Sequence, residues 1–376
     1  MDFSLNRAQE ILRRTLRDFF QREYPTSAVR QAETTEHGYL PAVYQQLGRL
    51  GVLGFGLPPA QGGAGGGWLE TCVLYEEAGR ALFVSPHLSS VVLAGRLLAR
   101  WGSAAQQQEW LPALAKGTRT LAAAWPLDRG EADSPPLVAH SDDGGYRVEG
   151  RVSHVGGWPG ADGVLLIAEL AGSAGQSALL LAPRDVAGVR VTPQPVLSGE
   201  RLVTLDCAGL RLPAAAAVGE PRPTAELLQP TLDGAKVAVA ARALGVAAAC
   251  LDLAVAYAKQ REQFGRPIGS FQAIQHRLAN LAMQVAEVRW LTYAAAWALD
   301  QGEDAHRAAA MAKLRAGAVA RDAGKDCILV HGGVGFIVES DPPLYYRHGK
   351  TLEYLLGTPE AQRALIAAEH QPFIPA

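Results

Sequence analysis

The sequence predicts an α+β fold, with a compact β unit set between two helical regions. Three observations point there. Apolar residues recur at helical spacing through the first third of the chain. Short alternating runs separated by Gly, Ser, Asp and Pro fill the middle. From Leu232 the pattern is helical almost to the end. Strands and helices that segregate along a chain argue against a doubly wound sheet, which needs them to alternate. With 376 residues the chain is too long for one small core. The shifts in pattern divide it into a helical region 1–120, a β region 121–225 and a helical region 226–376.

The elements follow in order. In AQEILRRTLRDFF, Ile11, Leu12, Leu16, Phe19 and Phe20 recur as on one face of a helix. GVLGFGLPPAQGGAGGGW, residues 51–68, breaks any helix and reads as an ordered loop. The helical pattern resumes at LETCVLYEEAGRAL and runs with breaks to about Gly117. YRVEG, GVLLIAEL, SALLLAPR and RLVTLDCAGLRLP are the strand runs. GEPRPTAELLQP reads as a proline-rich connector. The Ala- and Val-rich stretch from Leu232 to Phe264 predicts a central bundle helix, because small residues let helices approach closely. In the next helix Ile274, Leu278, Leu281, Val285 and Val288 alternate by four and three. That seam suits an intrachain bundle face or an oligomer contact.

Composition excludes several classes of function. The formal net charge of −2 draws the chain neither to nucleic acid nor to anionic lipid. MDFSLNRAQE lacks the apolar stretch of a secretory signal, and no uninterrupted apolar run approaches the ~20 residues of a membrane span. The expected location is the cytoplasm. Cys72, Cys207, Cys250 and Cys327 match neither a zinc spacing nor a disulfide framework, and the histidines show no metal spacing. No metal is expected.

Two stretches carry potential chemistry. In REQFGRPIGSFQ, residues 261–272, Arg261 ends a helix and Gln272 opens the next. A guanidinium there can fork onto a phosphate, and Phe264 can cover an aromatic ring. The same residues are equally a helix stop with a surface arginine. VHGGVGF, residues 330–336, is a glycine-rich turn after a helix, where exposed N–H groups can face phosphate. It does not follow a strand as the nucleotide-fold fingerprint does, and alone it reads as a helix C-cap.

Taken together, in this order and at these distances, the motifs are far more specific. The chain resembles the acyl-CoA dehydrogenase family nearly end to end. The resemblance runs through GLPPAQGGAGGGWLETCVLYEEAG, EWLPALAKGT, LDGAKVAVAARALG, YAKQREQFGRPIGSFQAIQHRLA, HGGVGF, YYRHGK and LLGT. It implies an N-terminal helical domain, a central β domain and a C-terminal four-helix domain, usually in a dimer of dimers. It also implies FAD, an acyl-CoA thioester and α,β-desaturation, in which a carboxylate takes the α-proton while the flavin accepts the β-hydride.

The resemblance fails at the base. Family enzymes place the catalytic glutamate either directly before the Gly-Thr of the last motif or near the start of the long helix. Here those positions are Leu356 and Ala235, and neither can accept a proton. The flavin contacts fail in a pattern. Where the family has Thr-Glu-Pro…Gly-Ser at the start of the β domain, this chain has AWPLDRGEAD, with Pro126 for the threonine and Ala132 for the serine. Where the family has Trp-x-Thr, it has His154 and Gly156, with Trp158 shifted in register. These are the residues a subunit offers its own flavin. The motifs that reach the neighbouring subunit's FAD are kept at Arg261, Gln263, Phe264, Gly332 and Gly333, with Leu329 where glutamine is usual; Gln272 and Thr358 are further cofactor-binding candidates. Asp233 and Lys236 match positions that often touch CoA.

The resemblance therefore implies the base-less subunit of a heteromeric acyl-CoA dehydrogenase. Such α2β2 assemblies, known from bacterial steroid degradation, pair it with a second family member that carries the base. Other readings stay open: a self-sufficient homomeric enzyme with a relocated base at Glu353 or Asp233, an interaction subunit without flavin or turnover, or a flavin monooxygenase on the same fold.

Overall fold

A computed structural model describes residues 5–126, 136–142 and 144–368. Its helices are α1 (Arg7–Glu23), α2 (Thr26–Thr34), α3 (Pro41–Arg49), α4 (Trp68–Arg80), α5 (Arg96–Trp101), α6 (Ala104–Lys116), α7 (Thr224–Gln260), α8 (Gln272–Asp300), α9 (His306–His331), α10 (Pro342–Tyr354) and α11 (Pro359–Ala368). Its strands are β1 (Leu121–Ala124), β2 (Leu137–Asp142), β3 (Gly145–Gly156), β4 (Gly163–Leu170), β5 (Gln176–Pro183), β6 (Val189–Gln194), β7 (Leu202–Pro213), β8 (Arg222–Pro223) and the short hairpin β9 (Glu262–Gln263) and β10 (Arg266–Pro267). The order is helices, strands, helices, as the sequence predicts. In space the chain forms two compact units. One comprises Met1–Arg30, Trp68–Phe83 and Lys236–Ala376; the other comprises Gln31–Gly67 and Val84–Ala235.

The second unit is built on an eight-stranded sheet in the order β6-β7-β3-β2-β4-β5-β8, with β1 also paired to β4. The β1–β4 and β2–β4 pairs are parallel and the others antiparallel. Alternating apolar residues of these strands, among them Val148, Val152, Leu166, Leu180 and Leu205, form its core. In β3 the pairing with β7 slips between Val152 and Val155. A bulge of this kind bends a strand and re-aims a side chain.

The first unit is helical. In α1, a capping box between Asn6 and Gln9 starts the helix. Leu16, Phe19 and Phe20 are buried, whereas Ile11 is 57 % exposed because it lies one residue off the buried stripe. Two buried carboxylates of α4 bind its neighbours. Glu76 accepts from Arg289 at 2.7 Å and Tyr293 at 2.9 Å, and Glu77 accepts both arms of Arg17. In α8, Leu281, Val285 and Val288 are buried, while Ile274 and Leu278 are half-exposed. The seam is thus an intrachain face along its second part.

One sequence expectation needs correction. The connector GEPRPTAELLQP is a link between elements only over residues 219–221; β8 takes Arg222–Pro223, and α7 already starts at Thr224 and carries Pro230 inside. The side chains of Leu227 and Leu228 are buried, so tertiary packing holds helix through a residue that removes one backbone bond. By length and composition α7 is also long and apolar enough to cross a membrane, and 83 % of its apolar window is buried, as in a core helix.

Within the helical unit, α9 and α10 are packed backbone against backbone. A Cβ on Gly317 would stand 2.9 Å from Glu353 Cα, one on Gly324 2.7 Å from Tyr346 Cα, and one on Gly349 2.7 Å from the Ala320 carbonyl oxygen. Backbone atoms at such distances cannot swing aside. Gly324→Ala should therefore destabilise the protein by ~1–3 kcal/mol through overpacking. The check is a urea titration, in which the midpoint falls with an unchanged slope.

Candidate active site

The end of α10 carries the position where the base is expected. Leu356 is fully buried and has φ 59°, the left-handed region that a leucine rarely adopts. Gln362 Nε2 donates to its carbonyl at 3.3 Å. Glu353, one turn earlier, is 4 % exposed and is not a free base. Its carboxylate accepts from Arg321 and, at 2.7 Å, from Lys350. Arg321 is itself forked onto Asp322. The backbone carbonyl of Glu353 accepts from Lys313 Nζ at 3.1 Å. Thr358 Oγ1 accepts from the Ala361 N–H at 3.2 Å and so caps α11.

Lys313 is buried and its pKa is pushed down to about 7. Loss of hydration is the chief cause; the Glu353 carboxylate opposes it and Lys236 adds to it. Lys236 is itself fully buried. Asp233 is buried and accepts from Gln229 Nε2 at 2.9 Å. Ala235, the second base position, is fully buried on α7.

The hairpin after α7 is exposed from Arg261 to Arg266. Arg261 has no ion-pair partner among the described residues, and the Phe264 ring is 92 % exposed on a left-handed backbone, φ 55°. The hairpin is pinned by the Ile268 N–H, which donates to the Arg261 carbonyl at 2.8 Å, and by Arg266 over the Phe271 ring at 4.3 Å. Gln263 Nε2 donates to the Glu262 carbonyl, and Gln272 is the exposed first residue of α8.

The His-Gly-Gly turn closes α9. Gly332 adopts φ 63°, ψ −138°, a conformation essentially reserved for glycine. Its N–H donates to the Ile328 and Leu329 carbonyls. The Gly332 amide thus caps its own helix, the reading the turn has when taken alone. Open space surrounds the Cα atoms of Gly332 and Gly333, so a ligand can approach the backbone there. The His331 ring stacks on Tyr257 with centroids 4.2 Å apart.

The β unit presents the other set of positions. Pro126 follows buried Trp125 after β1 and offers no N–H. His154 sits on the β3 bulge with φ 57°, and its N–H donates to Gln194 Oε1 at 2.7 Å. Gly156 pairs with Leu202 in the sheet. Trp158 is 5 % exposed and belongs to the sheet core, which makes it a packing residue. Ala132 lies outside the described residues.

Sequence reasoning missed the partners of Glu353. Arg321 and Lys313 come from α9, and only the helix crossing brings them to it. Lys350, three residues before Glu353, is the one partner with a local signal.

An eight-stranded unit joined in sequence to flanking helices, with an exposed Arg-x-x-Phe-Gly hairpin and a His-Gly-Gly turn, is the arrangement that the resemblance to the acyl-CoA dehydrogenases implies. Comparison with known proteins agrees. Residues 6–118 match the profile "Acyl-CoA dehydrogenase, N-terminal domain" and residues 225–370 match "Acyl-CoA dehydrogenase, C-terminal domain". A probable acyl-CoA dehydrogenase of Bacillus subtilis (strain 168), YngJ, is 31 % identical over 98 % of this chain and 99 % of its own. A chain of the ChsE4-ChsE5 complex from Mycobacterium tuberculosis is 31 % identical with TM-score 0.89, covering 100 % of both chains. A chain of a Tcur3481-Tcur3483 steroid ACAD variant is 30 % identical with TM-score 0.84, covering 96 % of this chain and 97 % of that one. The chain belongs to the acyl-CoA dehydrogenase family, whose enzymes are FAD-dependent oxidoreductases.

The buried lysine makes stability depend on pH. Unfolded, Lys313 titrates near its ordinary 10.5; folded, it titrates at about 7. Between these values the unfolded chain binds more protons, so this residue makes stability rise with pH from about 7 towards 10.5, and the gain is absent below 7. Lys313→Met should flatten that rise. Urea midpoints of wild type and variant at neutral and alkaline pH test it: the variant's advantage should shrink as pH increases.

Proposed function

We propose that this chain is the base-less subunit of a heteromeric, FAD-dependent acyl-CoA dehydrogenase, and that it completes the FAD site of a second family member. The observation that carries this reading is Leu356. At the position of the base, a buried leucine occupies a left-handed turn, and the one acid on α10, Glu353, is held in two ion pairs. Each oxygen of that carboxylate already faces a cation, so neither is presented to a substrate's proton.

The residues present fit FAD in one half-site and not in the other. The half-site that a subunit lends suits it: Arg261 is an exposed cation without an ion-pair partner among the described residues, Phe264 an exposed ring, and Gly332–Gly333 an open backbone. Arg261 would hold the pyrophosphate in forked geometry, and Phe264 would cover a ring. The half-site it would own fits poorly, since Pro126 and Gly156 carry no side-chain donor and the His154 N–H is taken by Gln194. When bound, FAD supplies the hydride acceptor of α,β-desaturation. The substrate class is an acyl-CoA thioester, with Asp233 and Lys236 the residues proposed for the CoA side. Two similar solved chains support a two-component assembly: one comes from a complex named for two proteins, the other from a steroid ACAD named for two.

Purified alone, the protein should hold little FAD. Co-purified with a family member bearing glutamate before its Gly-Thr, it should yield an assembly with fewer flavins than chains. Absorbance at flavin and protein wavelengths decides, and one tightly held FAD per chain in a homo-oligomer would overturn the proposal.

Glu353→Gln separates this reading from a relocated base. Losing the paired carboxylate should lower stability by on the order of 1–3 kcal/mol, allowing for the partial exposure of Arg321 and Lys350. Flavin reduction in the folded complex, followed by stopped flow with an acyl-CoA, should stay within about twofold of wild type. A drop of ~10² or more would make Glu353 the base.

A further inference from the structure

Ten residues, 332–341, join α9 to α10 and carry the Gly332–Gly333 turn. The segment has almost no core of its own. From Gly332 to Ser340 only Gly335 is buried, while Phe336 is 69 % and Val338 82 % exposed. Its first half approaches α9 closely at one point, where a Cβ on Gly335 would stand 2.5 Å from the Ile328 carbonyl oxygen. Its second half is held by one side chain from the other end of the chain. Arg30, on α2, directs Nη2 at three consecutive carbonyls, those of Val338 at 3.2 Å, Glu339 at 3.0 Å and Ser340 at 2.8 Å. Its Nη1 donates to Asp341 Oδ1 at 3.0 Å, and at 3.4 Å to the Thr26 carbonyl on its own helix.

We propose that Arg30 is the positioning residue of this segment, fixing the Gly332–Gly333 turn that the subunit presents to its partner's FAD. The inference rests on the function proposed above and adds the residue that shapes the lent half-site. A guanidinium suits this task where an ammonium does not. Its planar donors reach the carbonyl series and the Asp341 carboxylate at once, whereas a lysine is a single point of charge. An exposed segment with few buried contacts otherwise opens readily. Arg30 touches neither flavin nor substrate in this arrangement. Its effect is transmitted through the backbone of 338–341 to the turn at the other end of the segment.

The test uses the full chain and its flavin-loaded complex. Hydrogen–deuterium exchange on the full chain should show the amides of 333–340 exchanging about tenfold faster or more in Arg30→Ala, with α9 and the β sheet as in wild type. Arg30→Lys keeps the charge opposite Asp341 but cannot span the carbonyls, so it should show the same local loosening; it serves if Arg30→Ala fails to fold. In the complex, titration of FAD into flavin-depleted protein should give a dissociation constant about three- to tenfold weaker for both variants. Arg261→Ala is the reference for a direct contact. Unchanged exchange in 333–340 would overturn the inference. So would faster exchange with unchanged FAD affinity while Arg261→Ala loses flavin, and the proposed function would then stand. Unchanged FAD affinity in the Arg30 and Arg261 variants alike would overturn the proposed function and this inference with it.

Discussion

The candidate site depends on how closely α10 lies on α9. Three glycines, Gly317, Gly324 and Gly349, bring the two backbones together at distances that leave no space for a Cβ. This approach puts Lys313 within reach of the Glu353 carbonyl, a carbonyl near the C-terminal end of α10. It also brings Arg321 to the Glu353 carboxylate. Helix α10 therefore ends in a fixed place, and the turn at Leu356 is fixed with it. The arrangement places Lys313 and Lys236 together in the interior beside one paired carboxylate. Charge buried in this way is costly unless it is neutralised or paired, which is why the Lys313 proton is held so weakly.

Four non-glycine residues among the described ones have positive φ: Leu82, His154, Phe264 and Leu356. Three of them fall where the family resemblance places flavin contacts or the base. Each such residue costs on the order of 1–3 kcal/mol and persists only where the surrounding structure over-determines it. At Leu356 the constraint is the packing of α10; at His154 it is the β3 bulge and the bond to Gln194. At these two positions, which the resemblance places at the base and at the flavin, the strained backbone carries a leucine and a histidine. Such side chains on such a backbone fit the subunit proposed above.

Much of the architecture was legible in the sequence, because the change from helical to alternating periodicity is a local property. The strands β3, β4, β5 and β7 all lie on the runs expected of them. What stayed hidden depended on tertiary partners. Helix α7 continues back through Pro230 because its apolar residues there are buried. Trp158, a candidate substitute for a flavin-packing tryptophan, fills the sheet core instead. The Gly332 amide serves its own helix, and the Thr358 hydroxyl caps the next. Sequence shows that a polar group exists; only the fold shows which nearer partner it meets. Glu353 is the sharpest example, since an acid one turn before the position where the resemblance expects the base looks available until α9 is placed against it. Arg30 is invisible for the same reason, with more than 300 residues between it and the carbonyls it holds.

Exposure gives the remaining step. Burying a phenylalanine side chain is worth about 1.5–3 kcal/mol, yet the chain leaves Phe264 92 % exposed on a backbone that is itself unfavourable for it. Phe336 and Val338, in the segment held by Arg30, are also largely exposed. Within the chain alone these choices oppose stability three times over, through strain, through uncovered apolar surface and through an arginine ordered to hold an exposed loop. Scattered apolar residues on a surface need no explanation. A strained ring, an apolar loop and a dedicated anchor, all on motifs that the resemblance places at a neighbour's flavin, have a common one in the proposed assembly, where a second subunit would supply their stabilising contacts. On the function proposed above, the leucine at the expected base position and the exposed phenylalanine would be two sides of one division of labour, in which a partner carries the chemistry and this chain a binding surface.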